Sequence, residues 1–178
     1  MSKRIFIING IPTSGKDTFV ELVSNIIPTM NVSSVDKIKE ITKEIEEEAG
    51  LNELPKTEEK RKFLSDLKAL TASYCDMPFQ SMKQKVKMFN HSENLCLFLH
   101  IREPEEIKRA VKEFNAKTIL VVRNSVKQIT SNTSDANVYN YNYDYTITNN
   151  GTIEALNQIA EYFVKEHVLY KEETLNEK

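Results

Sequence analysis

The stretch Ile5–Thr18, with the sequence IFIINGIPTSGKDT, constrains the fold of this chain more than any other feature. Its apolar run Ile5–Ile8 predicts a buried strand, and a helical pattern of apolar residues begins directly after Lys16. Between them, Gly10, Gly15 and Lys16 have the G-x-x-x-x-G-K spacing of a phosphate-binding loop. In such a loop the backbone N–H groups and the start of the helix converge on an anion. The alternative interpretation is an ordinary turn between two core elements, with Lys16 in solvent.

The candidate nucleotide contacts lie between the first glycine of this loop and the first turn of the helix. They are Gly10, Thr13, Ser14, Gly15, Lys16, Asp17 and Thr18. Lys16 supplies a positive charge for the β- and γ-phosphates. Asp17 stands where the commonest form of the motif has Ser or Thr, whose hydroxyl touches Mg²⁺. A carboxylate can hold Mg²⁺ directly or through water, which makes Asp17 the candidate metal ligand. An acidic residue here also suits the helix dipole, so a purely structural role stays open.

Length and composition predict one globular domain covering residues 1–178. The net charge of −2 gives no electrostatic case for binding nucleic acid or a membrane surface. Cys75 and Cys96 lack a CxxC or Cys/His neighbourhood, which favours free thiols in a reducing compartment. The first residues predict a strand rather than a signal segment, and no apolar stretch reaches the roughly 20 residues that span a bilayer. We therefore expect a cytoplasmic protein whose partners are small molecules.

Strands alternate with helices along the chain, which predicts a three-layer α/β fold with a mostly parallel five-stranded sheet and helices on both faces. Residues 52–90 predict a helical insertion. Four of its apolar residues have helical spacing and are predicted to face inward: Phe63, Leu64, Leu67 and Leu70. The lysines of this region favour a solvated helix face over phosphate contact. Residues 124–143 are polar, with no packed-core pattern, and predict a lid-like flap.

Ligands of parallel sheets bind beyond the carboxyl ends of the strands, where this sequence places several polar residues. Arg102 and Arg123 each follow an apolar strand, and the planar guanidinium group can grip a phosphate at two points. We expect both to contact phosphate. Arg61 lies on a helix face and is either a phosphate contact or a solvated charge. His100 predicts a hydrogen-bonded structural histidine rather than a metal ligand, because no second His or Cys stands nearby.

Four stretches follow one another in a recognisable order: GKDT at 15–18, SVDKIK at 34–39, HIREPEE at 100–106 and DYTITNNGT at 144–152. Together they resemble the deoxynucleoside monophosphate kinases of the P-loop nucleotide-kinase group. The corresponding segments of that family have the forms GKDT, F-A-D-P-L-K, D-V-R-F-P-N-E and D-x-x-I-x-N-x-G-T. The last of these is shared with dephospho-CoA kinases. The resemblance spans nearly the full length and is weakest in the helical insertion.

The resemblance implies a P-loop kinase fold with a helical acceptor-binding region and a lid. It implies transfer of the γ-phosphate of ATP, with Mg²⁺, to a nucleoside or deoxynucleoside monophosphate. By matching position, Asp36, Lys39 and Arg102 would face the acceptor, and Arg123 would open the lid region. Lys16, Arg102 and Arg123 would then be the catalytic residues. Three residues after the last strand would lie near the adenine: Asn149, Asn150 and Gly151.

Two other functions fit the residues. One is a P-loop kinase for another small phosphorylated metabolite or a coenzyme precursor. The other is a nucleotide-binding module without efficient catalysis. His100 stands where the resembled family has Asp, and Lys127 is the only Lys or Arg between Arg123 and the last strand, which favours the module. The sequence gives neither the base nor the sugar of an acceptor, and a homodimer is compatible with it.

Overall fold

The computed structural model describes residues 3–51, 55, 57–126 and 137–170, and it contains alternating strands and helices. The strands are β1 (Arg4–Asn9), β2 (Thr29–Ser33), β3 (Cys96–His100), β4 (Lys117–Val122) and β5 (Tyr145–Thr148). The helices are α1 (Lys16–Ser24), α2 (Asp36–Glu48), α3 (Glu58–Cys75), α4 (Met77–Asn90), α5 (Pro104–Phe114) and α6 (Ile153–Phe163), which continues into a π-helical turn, Val164–Leu169. Among the described residues, no helix combines the length and the apolar character needed to cross a membrane.

The five strands form one sheet in the order β2-β3-β1-β4-β5. β1 pairs in parallel with β3 and with β4, and β5 pairs in parallel with β4. The register places Ile8 opposite His100 on one side and Ile119 on the other. The carboxyl ends of β1 and β3 therefore lie side by side, and β1 leads directly into the predicted phosphate-binding loop. The predicted three-layer α/β fold with a mostly parallel sheet is confirmed.

A cluster of phenylalanine rings holds α1 and α6 against this sheet. Phe6 of β1 lies 4.9 Å from Phe163 of α6, and Phe163 lies 5.4 Å from Phe19 of α1, measured between ring centroids. Phe98 of β3 stacks on Phe6 at 5.7 Å. All four side chains are buried. Burial of one such ring contributes about 1.5–3 kcal/mol to the stability of the fold. The packing of Phe19 in this cluster therefore holds α1 close to β1.

The chain divides into two compact units. The first contains Met1–Asn31 and Phe89–Lys178, and the second contains Val32–Met88. The predicted organisation as one domain, with an acceptor-binding insertion at 52–90 and a flap at 124–143, stays a prediction. Residues 52–54 and 56 of that insertion, and residues 127–136 of that flap, including Lys127, lie outside the described residues.

Within the second unit, a largely buried ion pair joins α2 to α3. Lys60 Nζ lies 2.9 Å from a carboxylate oxygen of Glu46, and the two side chains are 14% and 9% exposed. Thr57 caps α3 by accepting a hydrogen bond from the N–H of Lys60 at 3.2 Å. Because a buried charge without its partner is costly, the pair constrains how these two helices meet.

The prediction that the apolar residues of α3 face inward is wrong. This helix has no buried residue: Leu64 and Leu67 are half-buried, while Phe63 and Leu70 are 43% and 65% exposed. Helical spacing of apolar residues predicts a stripe on the helix, but it does not establish that another element covers the stripe.

Candidate functional site

The loop between β1 and α1 has a conformation that depends on its two glycines. Gly15 has a φ of +93°, and a Cβ atom there would lie 2.2 Å from Nδ2 of Asn149. At Gly10, a Cβ atom would lie 2.6 Å from Oγ of Ser14 and 2.7 Å from the carbonyl oxygen of Val121. Neither position can accept a side chain without displacing its neighbours. The glycine spacing in the sequence therefore corresponds to a packing requirement of the loop.

The start of α1 is open to an anion. The N-cap residue of this helix is Gly15, and no side chain caps the first turn. The N–H of Phe19 donates to the carbonyl of Gly15 at 2.9 Å, and the amides that precede it in the helix have no acceptor one turn earlier. These amides and the helix dipole give the site a partial positive charge. This end of α1 is therefore suited to phosphate oxygens.

A cavity of about 530 Å³ opens at this point, within the first unit. Its lining residues come from the loop, α1, the residue after β4, the segment after β5 and the start of α6: Thr13, Gly15, Lys16, Asp17, Thr18, Arg123, Asn149, Gly151, Thr152, Ile153 and Leu156. Small-molecule sites commonly have volumes of about 300–1,000 Å³. The cavity brings together eight of the residues predicted from the sequence, and Lys16 and Arg123 supply its positive charge.

Asp17 is the exposed carboxylate of this cavity. Its two oxygens lie 3.4 Å from Nζ of Lys16 and 3.5 Å from Nδ1 of His100, and its side chain is 77% exposed. Among the described residues, no group of three or more His, Cys, Asp and Glu side chains could hold a metal ion. Mg²⁺ is commonly bound by one or two carboxylates together with substrate phosphates and water. Asp17 therefore fits an ion that binds jointly with a phosphate ligand.

The two asparagines after β5 are engaged with the protein itself. Nδ2 of Asn149 donates a hydrogen bond to the carbonyl oxygen of Ser14 at 2.9 Å, inside the phosphate-binding loop. Oδ1 of Asn150 accepts a hydrogen bond from the N–H of Asn124 at 2.8 Å. Asn149 therefore supports the loop, and Asn150 supports the turn that follows Arg123. The adenine contact that the resemblance implied for these residues stays a prediction.

The two candidate arginines have different surroundings. Arg123 is exposed and lines the cavity. Arg102 is half-buried and is not one of the lining residues. Its carbonyl oxygen accepts a hydrogen bond from Nδ2 of Asn9 at 3.2 Å. The structure thus places Arg123 at the phosphate-binding loop and connects Arg102 to the same loop through its backbone.

The predicted acceptor contacts Asp36, Lys39 and Arg61 belong to the second unit. Asp36 accepts a hydrogen bond from the N–H of Ser33 at 2.7 Å, and its other oxygen lies 3.4 Å from Nζ of Lys39. The side chain of Arg61 is 70% exposed and lies 3.9 Å from Glu58 of the same helix. This placement favours the solvated interpretation of Arg61.

The sequence analysis did not identify three further residues as candidates for the site or its supports. Lys68 of α3 reaches Oγ of Ser34 at 3.2 Å, just before α2. Asn9 and Tyr143 are hydrogen-bonded to each other at 2.8 Å, next to the phosphate-binding loop. One feature of the sequence could have identified Asn9: it is a polar residue directly after four apolar ones, at the end of a predicted strand. In the structure, this strand has a neighbouring strand on each side.

No protein-family model matches the sequence, and no curated protein matches it. Among solved structures, the chain is similar to a dephospho-CoA kinase from Campylobacter jejuni, with 18% identity, a TM-score of 0.55, and coverage of 94% of this chain and 99% of that one. A shikimate kinase from Aquifex aeolicus and the protein TT1252 from Thermus thermophilus each have 17% identity and a TM-score of 0.49. Each match covers 94% of this chain. The matches cover 99% of the shikimate kinase chain and 100% of the TT1252 chain. The similarity to the dephospho-CoA kinase shows that the two chains share a fold.

Proposed function

We propose that this protein is a kinase that transfers the γ-phosphate of ATP to a nucleoside or deoxynucleoside monophosphate. The observation that carries the proposal is the cavity at the start of α1, where unpaired helix amides, Lys16 and Arg123 surround a space of about 530 Å³. Such a site has the shape and charge for a polyphosphate. When bound, ATP with Mg²⁺ supplies the phosphoryl group and neutralises part of its charge.

The residues of the chain have mainly positioning and electrostatic roles in this proposal, as phosphoryl transfer requires. Lys16 and the first amides of α1 bind the phosphate oxygens. Asp17 holds the metal ion, directly or through water. Arg102 and Arg123 stabilise the negative charge that is spread over the transferred group, because a guanidinium can contact two oxygens at once.

The acceptor contacts are proposed from the resemblance of the sequence. Asp36, Lys39 and Arg102 match the positions that face the acceptor in deoxynucleoside monophosphate kinases. By that match, each of these residues is proposed as an acceptor contact. The proposed partners are therefore small nucleotides in the cytoplasm, with no role for nucleic acid or a membrane.

A second candidate acceptor is a coenzyme precursor or another small phosphorylated metabolite. The observation that favours it is the similarity in fold to a dephospho-CoA kinase. A third candidate is a nucleotide-binding module without efficient turnover. It is favoured by the contacts of Asp17 with Nζ of Lys16 at 3.4 Å and with Nδ1 of His100 at 3.5 Å, because these groups compete with a metal ion for the carboxylate oxygens.

An acceptor panel separates the three candidates. ADP formation from ATP and Mg²⁺ is measured with each nucleoside and deoxynucleoside monophosphate and with dephospho-CoA. The proposal expects one or more monophosphates to stimulate ADP formation and to be converted to diphosphates. Conversion of dephospho-CoA alone would support the second candidate. Calorimetric binding of ATP with no conversion of any acceptor would support the module.

A further inference from the structure

A single buried side chain connects three parts of the candidate site. Asn9 ends β1 and is 1% exposed. Its Oδ1 accepts a hydrogen bond from the N–H of Gly10 at 2.8 Å. Its Nδ2 donates to the carbonyl oxygen of Arg102 at 3.2 Å and to the hydroxyl of Tyr143 at 2.8 Å. The phosphate-binding loop, the segment after β3 and the segment before β5 therefore meet at one amide.

Tyr143 extends this network toward the flap. Its hydroxyl donates a hydrogen bond to the carbonyl oxygen of Val138 at 2.8 Å, and Val138 is fully buried. The hydroxyl is protonated and can donate at neutral pH, as it is at its ordinary pKa of about 10, and burial raises the pKa of Tyr143 further, to about 12. Val138 and Tyr143, which lie at the end of the flap next to β5, are thereby attached to Asn9.

The polar identity of Asn9 is not explained by packing. Asn9 follows the apolar run of β1, and an apolar side chain could fill a fully buried position at the end of a strand. A buried amide is unfavourable unless its hydrogen-bonding groups are paired, and here both ends of the amide are paired. The partners that pair it are the first loop glycine and the backbone of a candidate catalytic arginine.

We propose that Asn9 and Tyr143 are positioning residues that hold Gly10 and Arg102 in register with the segment before β5. This inference rests on the proposed function, since it assigns the network a purpose in phosphoryl transfer. Neither side chain contacts the substrates; each acts through the loop and through Arg102. Removing the hydroxyl of Tyr143 leaves the carbonyl of Val138 and one donor of Asn9 without their partners.

The first arm of the test measures turnover. Tyr143→Phe keeps the ring and removes the hydroxyl, and Tyr141→Phe is the matched control. Tyr141 packs edge-on against Tyr143, and no described residue hydrogen-bonds its hydroxyl. We expect Tyr143→Phe to lower kcat about tenfold at a temperature well below its unfolding transition, and Tyr141→Phe to leave kcat unchanged. We also expect the double variant, Asn9→Ala with Tyr143→Phe, to have a kcat no lower than that of Asn9→Ala alone, because the two residues act as a unit. A kcat for Tyr143→Phe equal to that of wild type would overturn the proposal.

The second arm uses hydrogen–deuterium exchange on the full chain without ligand and does not depend on turnover. In Tyr143→Phe, we expect faster exchange in peptides that cover residues 8–16 and 100–104, and unchanged exchange in α3. Exchange in those peptides identical to wild type and to Tyr141→Phe would contradict the positioning role. If wild type converts no acceptor, the proposed function fails, and this arm still decides whether Asn9 and Tyr143 organise the loop.

Discussion

Nδ2 of Asn149 lies 2.9 Å from the carbonyl oxygen of Ser14, which lies 135 positions earlier in the chain. This hydrogen bond is buried, and it joins the segment after β5 to the centre of the phosphate-binding loop. Asn149 is also the side chain that a Cβ atom on Gly15 would strike. The loop therefore depends on a residue from the far end of the sequence for its shape.

Asn149→Ala should weaken nucleotide binding without unfolding the protein. The substitution leaves the Ser14 carbonyl without its buried donor, which costs about 1–3 kcal/mol. Calorimetry with a non-hydrolysable ATP analogue should show a Kd about tenfold higher, since 1.4 kcal/mol corresponds to a factor of ten. Asn157→Ala is the control, because the side chain of Asn157 donates its hydrogen bond to Glu161 in an exposed pair within α6. Equal affinities for the Asn149 variant and wild type would contradict the supporting role of Asn149.

A comparison of Gly15→Ala with Gly50→Ala distinguishes the effect of backbone strain from the effect of steric overlap with a neighbouring side chain. Both glycines have a positive φ, +93° and +69°, so alanine should destabilise each by about 1 kcal/mol. Only Gly15 has a neighbour within 4 Å of the added Cβ atom. We expect both variants to melt earlier and only Gly15→Ala to lose binding of the ATP analogue. Loss of binding in Gly50→Ala as well would show that the effect is not specific to the loop.

Asp17→Asn should raise the Mg²⁺ concentration that gives half-maximal turnover. Changes to residues that merely support a metal ligand already weaken metal affinity about 10- to 100-fold, so loss of a ligand charge should have at least a tenfold effect. Glu21→Gln, one turn further along α1 and also exposed, should leave the Mg²⁺ titration unchanged. Coincident titration curves for Asp17→Asn and wild type would exclude Asp17 from the metal site and would favour its helix-dipole role.

Asp144 should make the stability of the sheet depend on pH. Burial alone would raise the pKa of this carboxyl, but hydrogen bonds from the amide and hydroxyl of Thr118, together with Lys117, outweigh it and lower the pKa below its ordinary value. The stabilisation is therefore present above the ordinary carboxyl pKa and is lost as pH falls through the folded-state value.

Asp144→Ala should reduce the free energy of unfolding at pH 7 by about 1–3 kcal/mol, because the amide of Thr118 loses its acceptor. Denaturant titrations at decreasing pH should show that the difference in unfolding free energy between Asp144→Ala and wild type becomes smaller below a pH of about 4. Asp66→Ala, which removes an exposed carboxylate paired with Lys62, should change stability by less than about 1 kcal/mol. A gap for Asp144→Ala that stays constant with pH would contradict the lowered pKa.

The fold and the loop were predictable because their signals are local. The apolar run Ile5–Ile8 and the spacing of Gly10 and Gly15 each extend over a few residues. The alternation of strands with helices follows from a series of such short patterns along the chain. The contacts of Asn149 with Ser14 depend instead on the register of β5 beside β4, which spacing along the chain does not determine. The same holds for His100, whose position beside Asp17 follows from the pairing of β1 with β3.

The exposure of α3 has a related cause. The apolar residues of α3 predict a buried stripe, and the sequence contains no information about which surface would cover it. The buried pair of Glu46 with Lys60 was likewise not predicted, because charged residues on a helix are expected in solvent. Both differences arise from tertiary packing in the second unit rather than from a wrong assignment of secondary structure.

The most direct test of the proposed function is ADP formation from ATP and Mg²⁺ with a monophosphate acceptor, compared between wild type and Lys16→Ala at equal concentrations of folded protein. Lys43→Ala is the control, since Lys43 forms an exposed pair with Glu47 on α2. We expect Lys16→Ala to lower kcat at least about hundredfold, as loss of one charge-stabilising donor does in other enzymes, with little change in melting temperature. ADP formation by Lys16→Ala at the wild-type rate would contradict phosphoryl transfer at this site.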